Sequence, residues 1–196
     1  MTTTTNEDAT LGELRNALAR LCRGVLRPRA REVDEKRELP VENLKVMADM
    51  GLFGIEIAQE YGGLGLGVKA HAMVCEELSW ACPSSETVAR AASLVSFPIQ
   101  KFGSEAQKQR YLPGMARGQL GAFGLTEPGA GSDVQSIRTR AERIDGGYRI
   151  SGQKMFTSNA GASQVNIIFA RTGGSAGRFA SAFYMEIGRA SCRERV

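Results

Sequence analysis

The chain has 196 residues, 42% hydrophobic and 23% charged, an ordinary globular composition with length enough for a sizeable core in one large or two small domains. The net charge of +4 does not point to nucleic acid: Lys and Arg alternate with Glu and Asp along most of the chain, and Arg189, Arg193 and Arg195 against Glu194 supply half of the excess. No apolar run approaches a membrane span, and residues 1–10 resemble neither a secretory signal nor a basic transit peptide, so the expected compartment is the cytoplasm with no membrane and no nucleic-acid partner.

Four cysteines, Cys22, Cys75, Cys82 and Cys192, lack metal-ligand spacing, and His71 is the only histidine. Free buried thiols are expected rather than a zinc site.

In chain order, Leu11, Leu14, Leu18, Leu21 and Val25 form a helical stripe, which Pro28 kinks or divides. Pro40 suits a first helical turn, and Leu44, Met47 and Ala48 mark a second helix capped by Gly51. Gly65-Leu66-Gly67-Val68-Lys69-Ala70 has dinucleotide-like GxGxxA spacing, but no strand precedes it and no second strand follows. A loop entering a helix is the reading adopted. Residues 68–81 are apolar on all sides, which predicts a central helix. His71 there reads as a packed or surface histidine rather than a catalyst. Ser84 or Ser85 is expected to cap the next helix, and Pro98 to begin a short separate piece ending near Gly103. Ser104 and Gln107 have capping-box spacing and open a helix from Glu105 to Tyr111. Residues 8–118 thus read as an all-helical domain.

The periodicity changes after Gly118. The stretch 121–136, GAFGLTEPGAGSDVQS, begins with a short apolar strand and breaks into Pro128, Gly129 and Gly131 beside Thr126, Ser132 and Asp133. Glycines of this kind let backbone N–H groups approach an anion, so the stretch reads as a ligand-cradling loop or as a plain strand-to-loop corner. Residues 139–144, a turn at Asp145-Gly146-Gly147, and residues 148–151 predict a hairpin. Residues 165–171 and 179–185 predict two further strands. Gly173-Gly174-Ser175-Ala176-Gly177 matches GxSxG, but it lies in a turn between strands and is rejected as a nucleophile elbow. The expected class is α+β: helices first, then a partial, antiparallel, β-barrel-like domain over 119–186.

The unbroken Thr126-Glu127-Pro128-Gly129-Ala130-Gly131-Ser132-Asp133 resembles the first signature of the acyl-CoA dehydrogenases. Glu60-Tyr61-Gly62-Gly63, Lys101-Phe102-Gly103-Ser104-Glu105 followed by Tyr111-Leu112-Pro113, and the run from Ile150 to Asn159 agree with it in order. The resemblance covers about residues 10–186. It implies a helical N-terminal domain, a middle β domain and FAD. It also implies that Phe123, Gly124, Leu125, Thr126, Gly131 and Ser132 line the flavin, with Thr126 on the ring edge and Ser132 on the pyrophosphate or the acyl-CoA. Phe156, Thr157 and Ser158 would lie over the ring. Phe156 stands where the family often has Trp, and Ser158 where it often has Thr; aromatic face and hydroxyl are both kept. Glu127 is assigned a structural or cofactor-positioning role, because the family's proton-abstracting carboxylate lies in a third domain. No catalytic base is named.

The implied activity is oxidation of an acyl-CoA thioester to the trans-2-enoyl-CoA, with hydride passing to the flavin and on to an electron-transfer flavoprotein. A homo-oligomer, tetramer or dimer, goes with it. The competing readings are an acyl-CoA oxidase or flavin monooxygenase on the same scaffold, and a non-catalytic flavin- or acyl-CoA-binding module. Residues 187–196 match nothing expected and read as a foreign tail on a truncated frame, or as a divergent terminus. The fragment is therefore expected to be inactive by itself and to bind FAD weakly.

Overall fold

A computed structural model of the chain describes residues 6–172 and 180–186. The GxSxG match, the proposed tail at 187–196 and Cys192 lie outside the described residues. The chain divides into two compact units, Met1–Gln119 and Leu120–Val196.

The first unit is helical. Helix α1 (Asn6–Leu21) runs through a widened turn, Cys22–Leu26, into α2 (Arg27–Lys36), with Pro28 in the first turn of α2. Pro28 therefore does not break the rod. Its missing N–H and bulky ring fall just after a turn that already holds one extra residue. That extra residue moves the buried stripe by one position. Leu18, Leu21 and Cys22 are buried as the helical period requires, but the next buried side chain is Leu26, while Val25 is only half-buried.

Helix α3 (Val41–Asp49) follows Pro40, and Gly51 beyond it takes φ 73, the left-handed cap expected there. Helix α4 (Gly67–Ala81) emerges from a loop with no preceding strand, as read from the sequence. It is not central. Ala70, Met73, Val74, Leu78 and Ala81 are buried, while Val68, Ala72, Glu76 and Trp80 face outward. Small and aromatic residues made its exposed face look apolar.

Helix α5 (Pro83–Phe102) takes the more enclosed place, burying Ala89, Ala91, Ala92, Val95, Ser96 and Ile99. It runs unbroken through Pro98. Val95 and Ile99 anchor both sides of the proline, and Leu94, whose carbonyl loses its helical partner, is exposed enough for water to serve it. Neither Ser84 nor Ser85 caps it. Cys82 is the N-cap and Pro83 opens the first turn, so Ser85 falls inside the helix. There the Ser85 hydroxyl accepts from Asn43 Nδ2 at 2.9 Å, giving a buried Asn43 amide its partner.

Helix α6 (Glu105–Ala116) carries the predicted capping box. Ser104 N–H donates to Gln107 Oε1 at 2.8 Å, and Gln107 N–H donates to Ser104 Oγ at 3.3 Å. The core of this unit contains Leu18, Leu26, Met47, Ile55, Ile57, Leu78, Val95, Ile99, Leu112 and Met115. The loop between α3 and α4 packs tightly. A Cβ on Gly63 would lie 2.0 Å from the Ile57 carbonyl oxygen, so only glycine fits.

The second unit is a five-stranded sheet: β1 (Gly121–Gly124), β2 (Arg140–Ile144), β3 (Gly147–Ser151), β4 (Val165–Arg171) and β5 (Ala180–Glu186). Helices followed by a small sheet domain is the expected order. The sheet differs from the antiparallel, barrel-like expectation in two respects. It is open, and it is mixed. The β2–β3 and β4–β5 pairs are antiparallel, but β1 pairs with β4 in parallel, Gly121 opposite Val165 and Gly124 opposite Ile168. A parallel pair needs a long crossover, and the forty residues between β1 and β4, holding a loop and the β2–β3 hairpin, supply one. Strand β4 is central, which accounts for its continuous apolar run: Val165, Ile167 and Ala170 are buried between neighbours on both edges.

Candidate functional site

The loop after β1 is held closed by a reciprocal pair of backbone bonds. Glu127 N–H donates to the Ala130 carbonyl at 3.0 Å and Ala130 N–H returns to Glu127 at 3.1 Å, turning the chain at Pro128-Gly129. Gly131 and Ser132 follow on the exposed side. The sequence placed a second ligand stretch at 156–158, and the structure brings it against the first. Residues 154–164 run back along β1. Lys154 Nζ donates to the Leu125 carbonyl at 3.0 Å, Met155 N–H to the Thr126 carbonyl at 2.9 Å, Asn159 Nδ2 to the Gly121 carbonyl at 3.1 Å, and Gln164 N–H to the Leu120 carbonyl at 3.0 Å. The bond from Gln164 extends the β1–β4 pairing, and the other three fasten the segment to the two ends of β1.

This tie bends the segment sharply. Phe156 takes φ 54 and Asn159 φ 64, the left-handed region that non-glycine residues enter only under constraint. The result is a Phe156 ring 85% exposed, beside the β1 loop rather than in the core. The Thr157 hydroxyl is buried and has no hydrogen-bond partner among the described residues. Ser158 is exposed next to it. Phe123, in β1, packs its ring 5.0 Å from Phe169 of β4, and Gly124 is buried. A Cβ at Gly124 would stand 2.8 Å from Ile168 Cδ1 and 3.3 Å from Lys154 Cγ, so glycine leaves the passage that the lysine stem uses.

The charge at the site is internal. Glu127 and Lys154 side chains are both nearly enclosed, with Nζ 2.7 Å from Oε1. The same carboxylate accepts the backbone N–H of Arg138 at 2.5 Å and of Thr139 at 3.0 Å. Burial pushes the Glu127 carboxyl up, but the Lys154 ammonium and these N–H donors outweigh it and hold the pKa at about 2. A carboxylate committed to three partners at that acidity is a poor proton acceptor. The sequence reading passed over Lys154. Its one signal was a lone cation inside the second stretch, opposite the lone Glu of the first.

His71 lies in the helical unit. Its Nδ1 is 3.0 Å from Glu56 Oε2 and 3.4 Å from Ser93 Oγ, and its Nε2 is 3.2 Å from Cys75 Sγ. Burial, and then the Glu86 carboxylate, push the Cys75 thiol up to about 11, so this group is a bridge between α4, α5 and the loop at Glu56, not an activated nucleophile. Cys22, Cys75 and Cys82 are free thiols, and among the described residues no three acidic, His or Cys side chains converge as a metal site. No helix among the described residues is long and apolar enough to cross a membrane.

Comparison with known proteins bears on what this site holds. The model of the acyl-CoA dehydrogenase N-terminal domain matches residues 8–119, and that of the middle domain matches residues 122–190. A short-chain-specific acyl-CoA dehydrogenase of Clostridium acetobutylicum is 40% identical over 166 residues, 83% of this chain and 44% of that protein. The structure of butyryl-CoA dehydrogenase from Megasphaera elsdenii superposes with a TM-score of 0.84 at 33% identity, over 96% of this chain and 50% of that one. The FAD complex of PigA superposes with a TM-score of 0.84 at 28% identity, over 96% and 50%. The chain spans less than half the length of the curated relative from Clostridium. Two adjacent domain models, matched in order across a helical unit and the sheet unit that carries the Thr126–Ser132 loop, show that the chain belongs to the acyl-CoA dehydrogenase family.

Proposed function

We propose that this chain carries the flavin-binding face of an FAD-dependent acyl-CoA dehydrogenase, which oxidises an acyl-CoA to its 2-enoyl-CoA and passes electrons to an electron-transfer flavoprotein, working as a homo-oligomer. The observation that carries the reading is the bond from Met155 N–H to the Thr126 carbonyl, which sets the β1 loop beside the Phe156-Thr157-Ser158 stretch. The residues fit a flavin in three respects. An aromatic ring is presented to the outside at Phe156, a hydroxyl with no partner among the described residues lies at Thr157, and Gly124 lets the two segments close together. The FAD complex of a structural neighbour supports the choice of cofactor.

Phe123, Gly124, Leu125 and Thr126 would hold the ring edge, and Gly131 and Ser132 the pyrophosphate. Ser132 would also meet the acyl-CoA. Phe156 would cover the ring, with Thr157 and Ser158 supplying hydroxyls. FAD, when bound, supplies the acceptor for the hydride leaving the substrate β-carbon. The chain's own residues orient the ring and exclude water from one face. Glu127, committed to Lys154 and two backbone donors, is not assigned the role of α-proton acceptor.

The test is titration of the 196-residue chain with FAD, followed by anaerobic mixing with an acyl-CoA panel. Quenching of flavin fluorescence with weak affinity, and no bleaching by any acyl-CoA, is the expected pair of results. Absence of any quenching would overturn the flavin reading. Bleaching by this chain would show that one of its own carboxylates serves as base.

A further inference from the structure

Lys154 and Glu127 are the most enclosed ion pair among the described residues, with side chains 10% and 6% exposed. Enclosed pairs are costly to desolvate, and they rarely stabilise a fold more than apolar residues of the same size would. The pair's enclosure is therefore weak evidence of a stabilising role. Its geometry shows where it acts. The ammonium does not bond the carboxylate alone; it also takes the Leu125 carbonyl at 3.0 Å. The peptide joining Leu125 to Thr126 is trans, so fixing that carbonyl toward Lys154 turns the Thr126 N–H to the opposite side. The next carbonyl, of Thr126, is held by Met155 N–H. Thr126 is thus fixed on both sides by two consecutive residues, Lys154 and Met155, and these lead directly into the left-handed Phe156. The carboxylate completes the frame by fastening Arg138 and Thr139, where the chain enters β2.

We propose that Lys154 and Glu127 are positioning residues for the flavin, setting the Thr126 peptide and the Phe156 ring at a fixed separation on either side of the cofactor's place. This rests on the flavin reading above. Neither residue touches the flavin; each acts through Thr126 and Phe156.

The experiment measures FAD affinity by fluorescence quenching and the melting temperature without FAD, on the full chain. The variants are Lys154→Met, Glu127→Gln, the double variant, and Lys154→Arg. Each single neutralisation leaves its partner buried and unpaired, so both readings fall together. The double variant separates the roles. Removing both charges is expected to restore the melting temperature to within a few degrees of wild type, while the FAD dissociation constant stays raised at least about tenfold, because the Leu125 carbonyl has lost its ammonium. Lys154→Arg keeps the charge pair but not the compact donor. It is expected to melt near wild type and bind FAD several-fold more weakly. If either the double variant or Lys154→Arg binds FAD as tightly as wild type, the pair is structural and the proposal is overturned. Wild-type chain that fails to bind FAD overturns the flavin reading and this proposal together. Wild-type binding with unaffected variants overturns this proposal alone.

Discussion

Met155 donates its backbone N–H to the Thr126 carbonyl at 2.9 Å, joining the loop after β1 to the segment that carries Phe156. Neither residue's side chain is needed for that bond. It is made by backbone, and it determines which side chains lie beside the loop.

Phe156 is the residue this junction presents. Because its ring is 85% exposed, Phe156→Ala is expected to change the unfolding free energy by less than about 0.5 kcal/mol. The same change should weaken FAD binding several-fold, through loss of an aromatic face against the ring. Urea unfolding and a flavin fluorescence titration on the same sample check the pair of expectations. Equal losses in both would place Phe156 in the core instead.

Glu127 gives a pH dependence with a definite sign. Its carboxyl titrates at about 2 when folded, against 4.5 for the ordinary group. The unfolded chain therefore binds the proton first. The stabilisation is fully present above about pH 4.5 and is lost as pH falls through about 2, on the order of 3 kcal/mol at most. Urea midpoints of wild type and Glu127→Gln, measured from about pH 6 down to about pH 2, are expected to converge at the acid end. A constant gap across that range would contradict the assignment.

Gly63 is a test of packing rather than of chemistry. A methyl group there would meet the Ile57 carbonyl oxygen at 2.0 Å and the carbonyl carbon at 2.5 Å, both backbone atoms that cannot swing aside. Gly63→Ala is expected to cost about 3 kcal/mol, read as a fall in the denaturation midpoint. Gly62→Ala, where nothing lies within 4 Å of the added carbon, carries only the cost of its φ of 82 and should be milder.

Ser104 caps α6 with an exposed side chain, so its contribution can be isolated. Ser104→Ala is expected to destabilise the helical unit by about 1 kcal/mol, and Ser104→Asp to leave it within a few tenths of wild type. Thermal unfolding followed by far-ultraviolet circular dichroism makes the comparison.

Some of this architecture was written in short-range chemistry and could be read directly. The capping box at Ser104 and Gln107, the left-handed Gly51, the hairpin turn at Asp145-Gly146, and the change from helical to strand periodicity after Gly118 each depend on residues a few positions apart. The family was also legible, because its motifs keep their order along the chain. What the sequence could not express were choices made between distant segments. Whether α4 or α5 is the enclosed helix depends on what packs against each. Pro98 stays inside α5 because Val95 and Ile99 are anchored in the core, and that anchoring outweighs one lost backbone bond. The buried position passes from Val25 to Leu26 through one widened turn that no local signal marks. Strand β1 runs parallel to β4 because of the crossover between them, and Lys154 meets Glu127 only once that crossover is made. The sequence by itself determined the elements and the residue types at the site; the tertiary structure decided their pairing, because burial and hydrogen bonding reward contacts that exist only after the chain has closed.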